Sequence, residues 1–281
     1  METGENNQKI SLVSSSFNSK NTGSYHISIE ISRNHISYCL LNIKELQYEV
    51  IRSWTYKNED LENIILILNK EEFLNSEFSS SSISFTNFSS TIIPKKLYEQ
   101  KDAIKMLAFE HENNDYIKHE YIKSIDSYIT YSIPKKLSDI ILNIFPDIIE
   151  HNTTKILISK LMDQDNEDKE TAFLNICNNQ LEIIIRNKTQ LILQNTFLIS
   201  SPEDLLYYTL FCFEQVSMST EKIHVILLGD ITKHDKYYNI LYNYIRNIKI
   251  GSLPKNILIN KDIDHKEMHQ YFALLTQILC V

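Results

Sequence analysis

Residues 171–231 read TAFLNICNNQLEIIIRNKTQLILQNTFLISSPEDLLYYTLFCFEQVSMSTEKIHVILLGDI, and the changes of period along this stretch decide the fold. Ala172 to Cys177 is an extended run carrying Phe173, Leu174 and Ile176. Asn178-Asn179 follows, a pair suited to a two-residue hairpin because Asn tolerates positive φ. Leu181 to Ile185 is apolar and rich in β-branched residues, Asn187-Lys188 turns again, and Leu191-Ile192-Leu193 with Phe197-Leu198-Ile199 makes a third strand. Ser201-Pro202-Glu203-Asp204 then starts a helix, with a capping hydroxyl, Pro in the first turn and acids facing the positive helix end. Leu206, Leu210, Phe213 and Val216 give that helix an apolar face. The continuous run Ile223 to Leu228 is what a strand covered on both faces requires, and it stops at Leu228-Gly229-Asp230.

Working outward, the same order of elements begins at Tyr25. Tyr25 to Ile31 alternates, Arg33-Asn34 turns, Ile36 to Leu41 is a second strand, Lys44-Glu45 turns, and Leu46 to Trp54 is a third. Asn58-Glu59-Asp60 caps a helix carrying Leu61, Ile64, Ile65 and Leu68. Lys44 matches Lys188 and Trp54 matches Leu198, both at an offset of 144 residues. Residues from about 70 to 124 have no counterpart and read as one strand of the sheet followed by an inserted subdomain. Within it the serine run 79–82 is expected as a flexible loop. Pro94 is expected to open a helix bearing Leu97, Ile104, Leu107 and Ala108; His111 to Asp115 is expected as a turn and Tyr116 to Ile122 as extended. The parallel is read as resuming at Tyr128, with Tyr128–Ile133 matched to Ile223–Leu228. Helices follow from Pro134 and from Asn152-Thr153 in the first half, and from Asp235 and Asp264 in the second. The alternation implies right-handed crossovers onto mixed sheets with helices on their faces. The expected organisation is a polar tail over 1–22, in which Ile10–Val13 could add an edge strand, a first half over 23–165, and a second half over 166–281, two mixed-sheet α/β halves flanking a cleft.

Bulk composition narrows the function. The chain has 281 residues, 43% of them hydrophobic, and a net charge of −8, so a phosphate-neutralising nucleic-acid surface is not expected. Four cysteines without metal-type spacing suit a reducing compartment. Met1 to Lys20 lacks the apolar core of a secretory signal, and no apolar run approaches a membrane span. The expectation is a cytoplasmic protein that does not span a membrane. Only four glycines occur, and no Walker-type, dinucleotide or Gly-x-Ser-x-Gly loop exists. His265 and His269 share zinc-pair spacing on an expected helix, but Lys266 stands where a metalloprotease needs its Glu. Asp163 to Asp168 hints at a calcium loop without the required Gly and is read as a linker. Tyr207, Tyr208, Tyr237, Tyr238, Tyr242 and Tyr244 lie on two helices, either as packing groups or as a contact surface.

A duplicated unit of this order resembles the actin-like ATPase superfamily, with a layout similar to pilus-assembly and secretion proteins. Ser24-Tyr25-His26-Ile27-Ser28-Ile29-Glu30-Ile31-Ser32, Ile36-Ser37-Tyr38-Cys39, His151 before its Thr pair, Pro202-Glu203-Asp204-Leu205-Leu206-Tyr207-Tyr208 and Leu228-Gly229-Asp230-Ile231 resemble an uncharacterised bacterial family of that fold. The superfamily resemblance implies two phosphate hairpins, each an acid, a spacer and a Gly whose bare backbone approaches the nucleotide, and a Gly-rich turn for adenosine. Here the first hairpin is Glu30, Ser32 and Asn34; the second is Asn175, Cys177 and Asn179; the adenosine turn is Gly229 and Asp230. Both hairpin glycines and one metal-binding acid are absent. The expectation is a non-catalytic interaction or scaffold module with a protein partner and no cofactor. The alternatives are a divergent ATPase or small-molecule kinase using Mg-ATP through Glu30 and Asp230, and an ordinary ligand-binding cleft.

Overall fold

The computed structural model describes residues 7–56, 61–107, 115–163 and 169–280. The expected cap at 58–60, most of the turn at 111–115 and the linker at 163–168 lie largely outside them. The chain forms two compact units: residues 1–157 with 255–265 and 273–281, and residues 158–254 with 266–272.

In the first unit β1 (Asn7–Val13) is followed by β2 (Tyr25–Ile31), β3 (His35–Asn42), β4 (Gln47–Thr55), α1 (Leu61–Lys70) and β5 (Ser80–Phe85). Next come β6 (Ser90–Pro94), α2 (Gln100–Leu107), β7 (Asp115–Ile122), β8 (Ser127–Pro134), α3 (Lys135–Ile144), β9 (Ile149–Asn152) and α4 (Thr153–Met162). The main sheet has the order β1-β4-β3-β2-β5-β9. Odd positions of β2 send Tyr25, Ile27, Ile29 and Ile31 to one face, where they meet Ile64, Ile67 and Leu68 of α1 and Leu137 and Ile141 of α3.

Three expectations change here. The serine run is a strand: β5 pairs in parallel with β2 and β9, and Ser82 and Ser84 are fully buried. Its small side chains fit because His26 occupies the space beside them, Nδ1 at 2.7 Å from Ser80 Oγ and Nε2 at 3.0 Å from Ser82 Oγ. The fourth strand of the sheet is therefore β5, and the strand at Tyr128–Ile133 belongs instead to a separate sheet of order β6-β8-β7. Finally, Lys95–Leu97 is a short 3-10 turn ahead of α2, so Leu97 lies on no helix face and is 73% exposed.

The second unit holds β10 (Glu170–Cys177), β11 (Gln180–Asn187), β12 (Gln190–Leu198), α5 (Pro202–Gln215), β13 (His224–Gly229), α6 (Lys236–Tyr244) and β14 (Asn247–Ile250). Its sheet order is β12-β11-β10-β13-β14. Asn178 and Asn179 both have positive φ, at 49° and 62°, as a primed hairpin turn needs. Ser201 accepts from the Asp204 amide while Asp204 accepts from the Ser201 amide, a complete capping box. Leu174, Ile176, Leu181, Ile183 and Ile185 pack with Leu205, Cys212 and Phe213 of α5 and Leu241 of α6.

β15 (Leu258–Ile259) returns to β4 of the first unit, and α7 (Phe272–Thr276) ends the helical part of the chain between two 3-10 turns. The expected continuous helix from Asp264 is interrupted: Glu267 has φ of 60°. His265 and His269 consequently do not share a helix, and His269 Nε2 is 2.7 Å from the Ile231 carbonyl oxygen. Among the described residues no group of three or more His, Cys, Asp and Glu is placed to hold a metal.

The two sheets are duplicates to the level of their defects. β3 against β4 skips Glu49, and β11 against β12 skips Ile192, so each third strand carries a bulge at the corresponding place. Ile36 faces Trp54 just as Leu181 faces Phe197. The structural partner of Trp54 is thus Phe197, one residue from the Leu198 match read in the sequence. Pleat parity enforces this: Trp54 is buried, whereas Leu198 is 74% exposed.

Candidate functional site

The strand-to-strand turns place the candidate residues. In the first unit the β2–β3 turn runs from Ser32 to His35. The Ser32 amide donates to the His35 carbonyl at 2.8 Å, and its own carbonyl accepts from the Tyr56 hydroxyl at 2.8 Å. The Asn34 carbonyl accepts from the Tyr56 amide at 3.0 Å, while Ser32 Oγ reaches Asn34 Oδ1 at 3.3 Å. Ser32 is buried, and Glu30 pairs across the ladder with Ser37 and Ser84. Glu30 at the end of β2 is thus followed by a turn in which the Ser32 amide is bonded to His35 and the Ser32 and Asn34 carbonyls to Tyr56, just past β4.

The corresponding turn of the second unit brings together Asn175, Cys177 and Asn179 with Gly229 and Asp230. Gly229 ends β13 opposite Ile176 of β10. Its φ is +77°, and a Cβ built there would sit 2.0 Å from the Ile176 carbonyl oxygen and 2.9 Å from Asn175 Oδ1. Nothing but glycine fits. The Asp230 amide donates to the Ile176 carbonyl at 2.6 Å, and the Ile231 amide to the Gly229 carbonyl at 2.8 Å. The one retained glycine of the adenosine-side turn has a use inside the sheet: it lets β13 close on β10. Asn178 Nδ2 lies 3.4 Å from Cys177 Sγ, and Asn179 accepts the Ile199 amide at 2.8 Å.

A second constellation escaped the sequence reading. Glu120 on β7 reaches across to the end of β9 and the start of α4. Its Oε1 accepts the Asn152 amide at 2.7 Å, and its Oε2 meets Lys155 Nζ at 2.6 Å and His151 Nδ1 at 2.7 Å. Burial pushes the carboxyl up, but the His151 ring and Lys155 ammonium pull harder, and the net pKa is lowered. Next to it, burial and the Glu120 charge raise the Tyr131 hydroxyl. Among the described residues His151 Nε2 has no hydrogen-bond partner. His and Lys four apart at a helix start were visible in the sequence; the acid that joins them was not, because it arrives from the inserted sheet. Chemically this is a carboxylate clasp that fixes β7 to the β9–α4 corner.

Among the described residues no helix is long and apolar enough to cross a membrane. The family model described as a protein of unknown function, DUF3822, matches residues 14–248. By sequence, no curated protein matches. A crystal structure from Bacteroides thetaiotaomicron, described as a protein with actin-like ATPase fold and unknown function, is similar at a TM-score of 0.78 and 18% identity, covering 92% of this chain and 98% of that one. A structure of the PilM-PilN type IV pilus biogenesis complex is similar at a TM-score of 0.53 and 9% identity, covering 90% of this chain and 96% of that one. These likenesses establish the fold.

Proposed function

From a chain that belongs to the DUF3822 family of proteins of unknown function, and that carries the actin-like ATPase fold, we infer a protein-interaction or scaffold module without catalysis, working in the cytoplasm. The observation that carries this reading is the state of the two turns. Phosphate loops work by presenting bare backbone amides to a polyanion. Here the Ser32 and Asp230 amides are both donated to backbone carbonyls, and Gly229 spends its missing Cβ on the Ile176 carbonyl. Cys177 and the two Asn add side chains at the other turn. The residues present do not suit a triphosphate with its metal, and Asn175 stands where the second acid would help hold Mg²⁺.

The partner is a protein in this reading. The PilM structure, which shares the fold, is a complex with PilN, and within the stretch 73–124 the part outside the main sheet, from β6 onward, is the surface we assign to contact. It exposes Leu97, Met106 and Tyr121. Exposed apolar side chains suit partner binding.

Thermal unfolding of the whole chain with millimolar Mg-ATP, Mg-ADP or AMP tests this. A ligand at about 100 times its dissociation constant stabilises the native state by about 2.7 kcal/mol, which such a scan resolves. No shift is expected. A shift with any nucleotide, or ATP hydrolysis lost on Glu30→Gln, overturns the reading in favour of an ATPase or kinase.

A further inference from the structure

The outer edge of β12 has the properties of a strand awaiting a neighbour. The Ile199 amide bonds to the carbonyl of Asn179, in the turn just before β11, which makes 199 and 179 a hydrogen-bonded pair. Alternation along the ladder then points the backbone groups of Leu198, Thr196 and Gln194 away from the sheet. Thr196 agrees, since its amide is taken by the adjacent Asn195 Oδ1 at 2.8 Å and not by β11. Sheet edges are normally guarded by charge, Pro, shortness or a covering segment. β14 and β9 have four residues each, β6 contains Pro94, and β7 carries Asp115, Lys118 and Glu120. β12 has nine residues, QLILQNTFL, with no charge and no Pro, and its bulge at Ile192 leaves Leu193 to Leu198 in regular register.

Within the same chain, the duplicate of this edge is occupied. β4 is covered on its outer side by β15 at Gln47–Tyr48 and by antiparallel β1 at Val50–Thr55. Among the described residues no such strand lies on β12, and the residues of β12 are half or fully exposed. The neutral, apolar character continues onto the neighbouring helix. Phe197 stacks on Tyr208 at 4.3 Å, Tyr208 meets Tyr207 at 5.3 Å, and Tyr207 stacks on Phe211 at 6.1 Å. Tyr207 and Phe211 are exposed at 63% and 42%.

We propose that a second copy of this chain pairs with that edge, β12 against β12, antiparallel, in the place that β1 takes on β4. Three points select the second copy. The occupant must be an extended strand, because what the edge offers is backbone donors and acceptors. A charged peptide finds no counter-charge between Gln190 and Leu198 or between Leu205 and Phe213 of α5, whereas two copies of a chain of net charge −8 approach most easily through a stretch without charge. A two-fold axis near Gln194 sets that amide against its own copy and Leu193 against Asn195, neutral pairs that lie on the regular part of the strand beyond the bulge at Ile192. This goes beyond the function proposed above and stands without it.

Sedimentation velocity on the full chain across the micromolar range tests the pairing, together with hydrogen exchange at single-residue resolution. The wild type is expected to sediment at twice its 33.0 kDa mass, and the amides of Gln194, Thr196 and Leu198 to slow as concentration rises. Thr196→Pro removes an outward amide that β11 does not use, and is expected to give a monomer. Thr196→Lys places a charge at an exposed site of the edge and is expected to raise the dissociation constant at least tenfold while the chain still unfolds cooperatively. Leu66→Lys, at an exposed leucine on α1 of the first unit, is the control and stays dimeric. If Thr196→Pro does not fold, Thr196→Lys decides. A monomeric wild type, or a dimer whose affinity is unaltered in Thr196→Lys, overturns the proposal, as would concentration-independent exchange at those three amides.

Discussion

The two sheets share five strands, an order and even a bulge, yet they are finished differently. In the first, the edge of β4 is closed by β1 and β15, and the opposite side is extended by a small inserted sheet clasped through Glu120. In the second, among the described residues, no strand pairs with the edge of β12 and no such sheet is inserted. Corresponding rungs differ as well. Phe85 of β5 and Gly229 of β13 each end the strand that runs parallel to the first, facing Ile31 and Ile176 respectively. Phe85 fills a core; Gly229 admits a carbonyl. One frame therefore tolerates opposite solutions at one place, and stability and function have to be assigned rung by rung.

The sharpest way to break this comparison is at that rung. Gly229→Ala is expected to cost more than about 4 kcal/mol, because the added carbon meets a backbone oxygen and the backbone is left-handed. Urea unfolding of the variant measures it; a loss below about 1 kcal/mol would mean that the β10–β13 contact yields. In the first unit the comparable test is Glu120→Ala, which leaves Lys155 and His151 without their carboxylate. Removing one partner of a buried pair costs about 3–5 kcal/mol. Glu120→Gln keeps the Asn152 amide bond and is expected to lose less, and equal losses would show that charge is irrelevant there.

The smallest effect concerns acid. Burial lowers the His26 pKa to about 4, so the folded protein holds it neutral. An unfolded chain takes up that proton below about pH 6.5, and the native one only near pH 4. Stability contributed by the neutral ring is thus complete above pH 6.5 and falls as pH drops, by about 3 kcal/mol at pH 4. The same rung of the second sheet pairs Thr171 with His224, which is half exposed. His26→Gln should flatten the stability profile between pH 6.5 and 4; an unchanged profile would place the titrating group elsewhere.

The frame was legible because its signals are local. Asn178-Asn179, the Ser201 cap and the run Ile223–Leu228 each declare an element within a few residues. What escaped depended on distant partners. A serine run becomes a buried strand only when His26 and Gln277, which donates to Ser82 at 2.8 Å, are beside it. Glu120 gains its role from β9 and α4, some thirty positions on. Tyr128–Ile133 was matched to the wrong strand because an apolar run of the right length says nothing about which sheet it joins. Whether the amides of the candidate turn residues are engaged depends on pairing that no motif encodes.

The discontinuity of the first unit also governs the order in which the protein can be completed during synthesis. Tyr48 donates to the Leu275 carbonyl, Cys39 Sγ lies 3.8 Å from the Leu274 carbonyl oxygen, and Asn260 donates its amide to Tyr48. Strands made first thus wait, with one face and one edge unfinished, until residues 255–281 emerge, while all but seven residues of the second unit precede them. A chaperone that holds nascent chains would find its work on the earlier half, for as long as the ribosome needs to translate the later one.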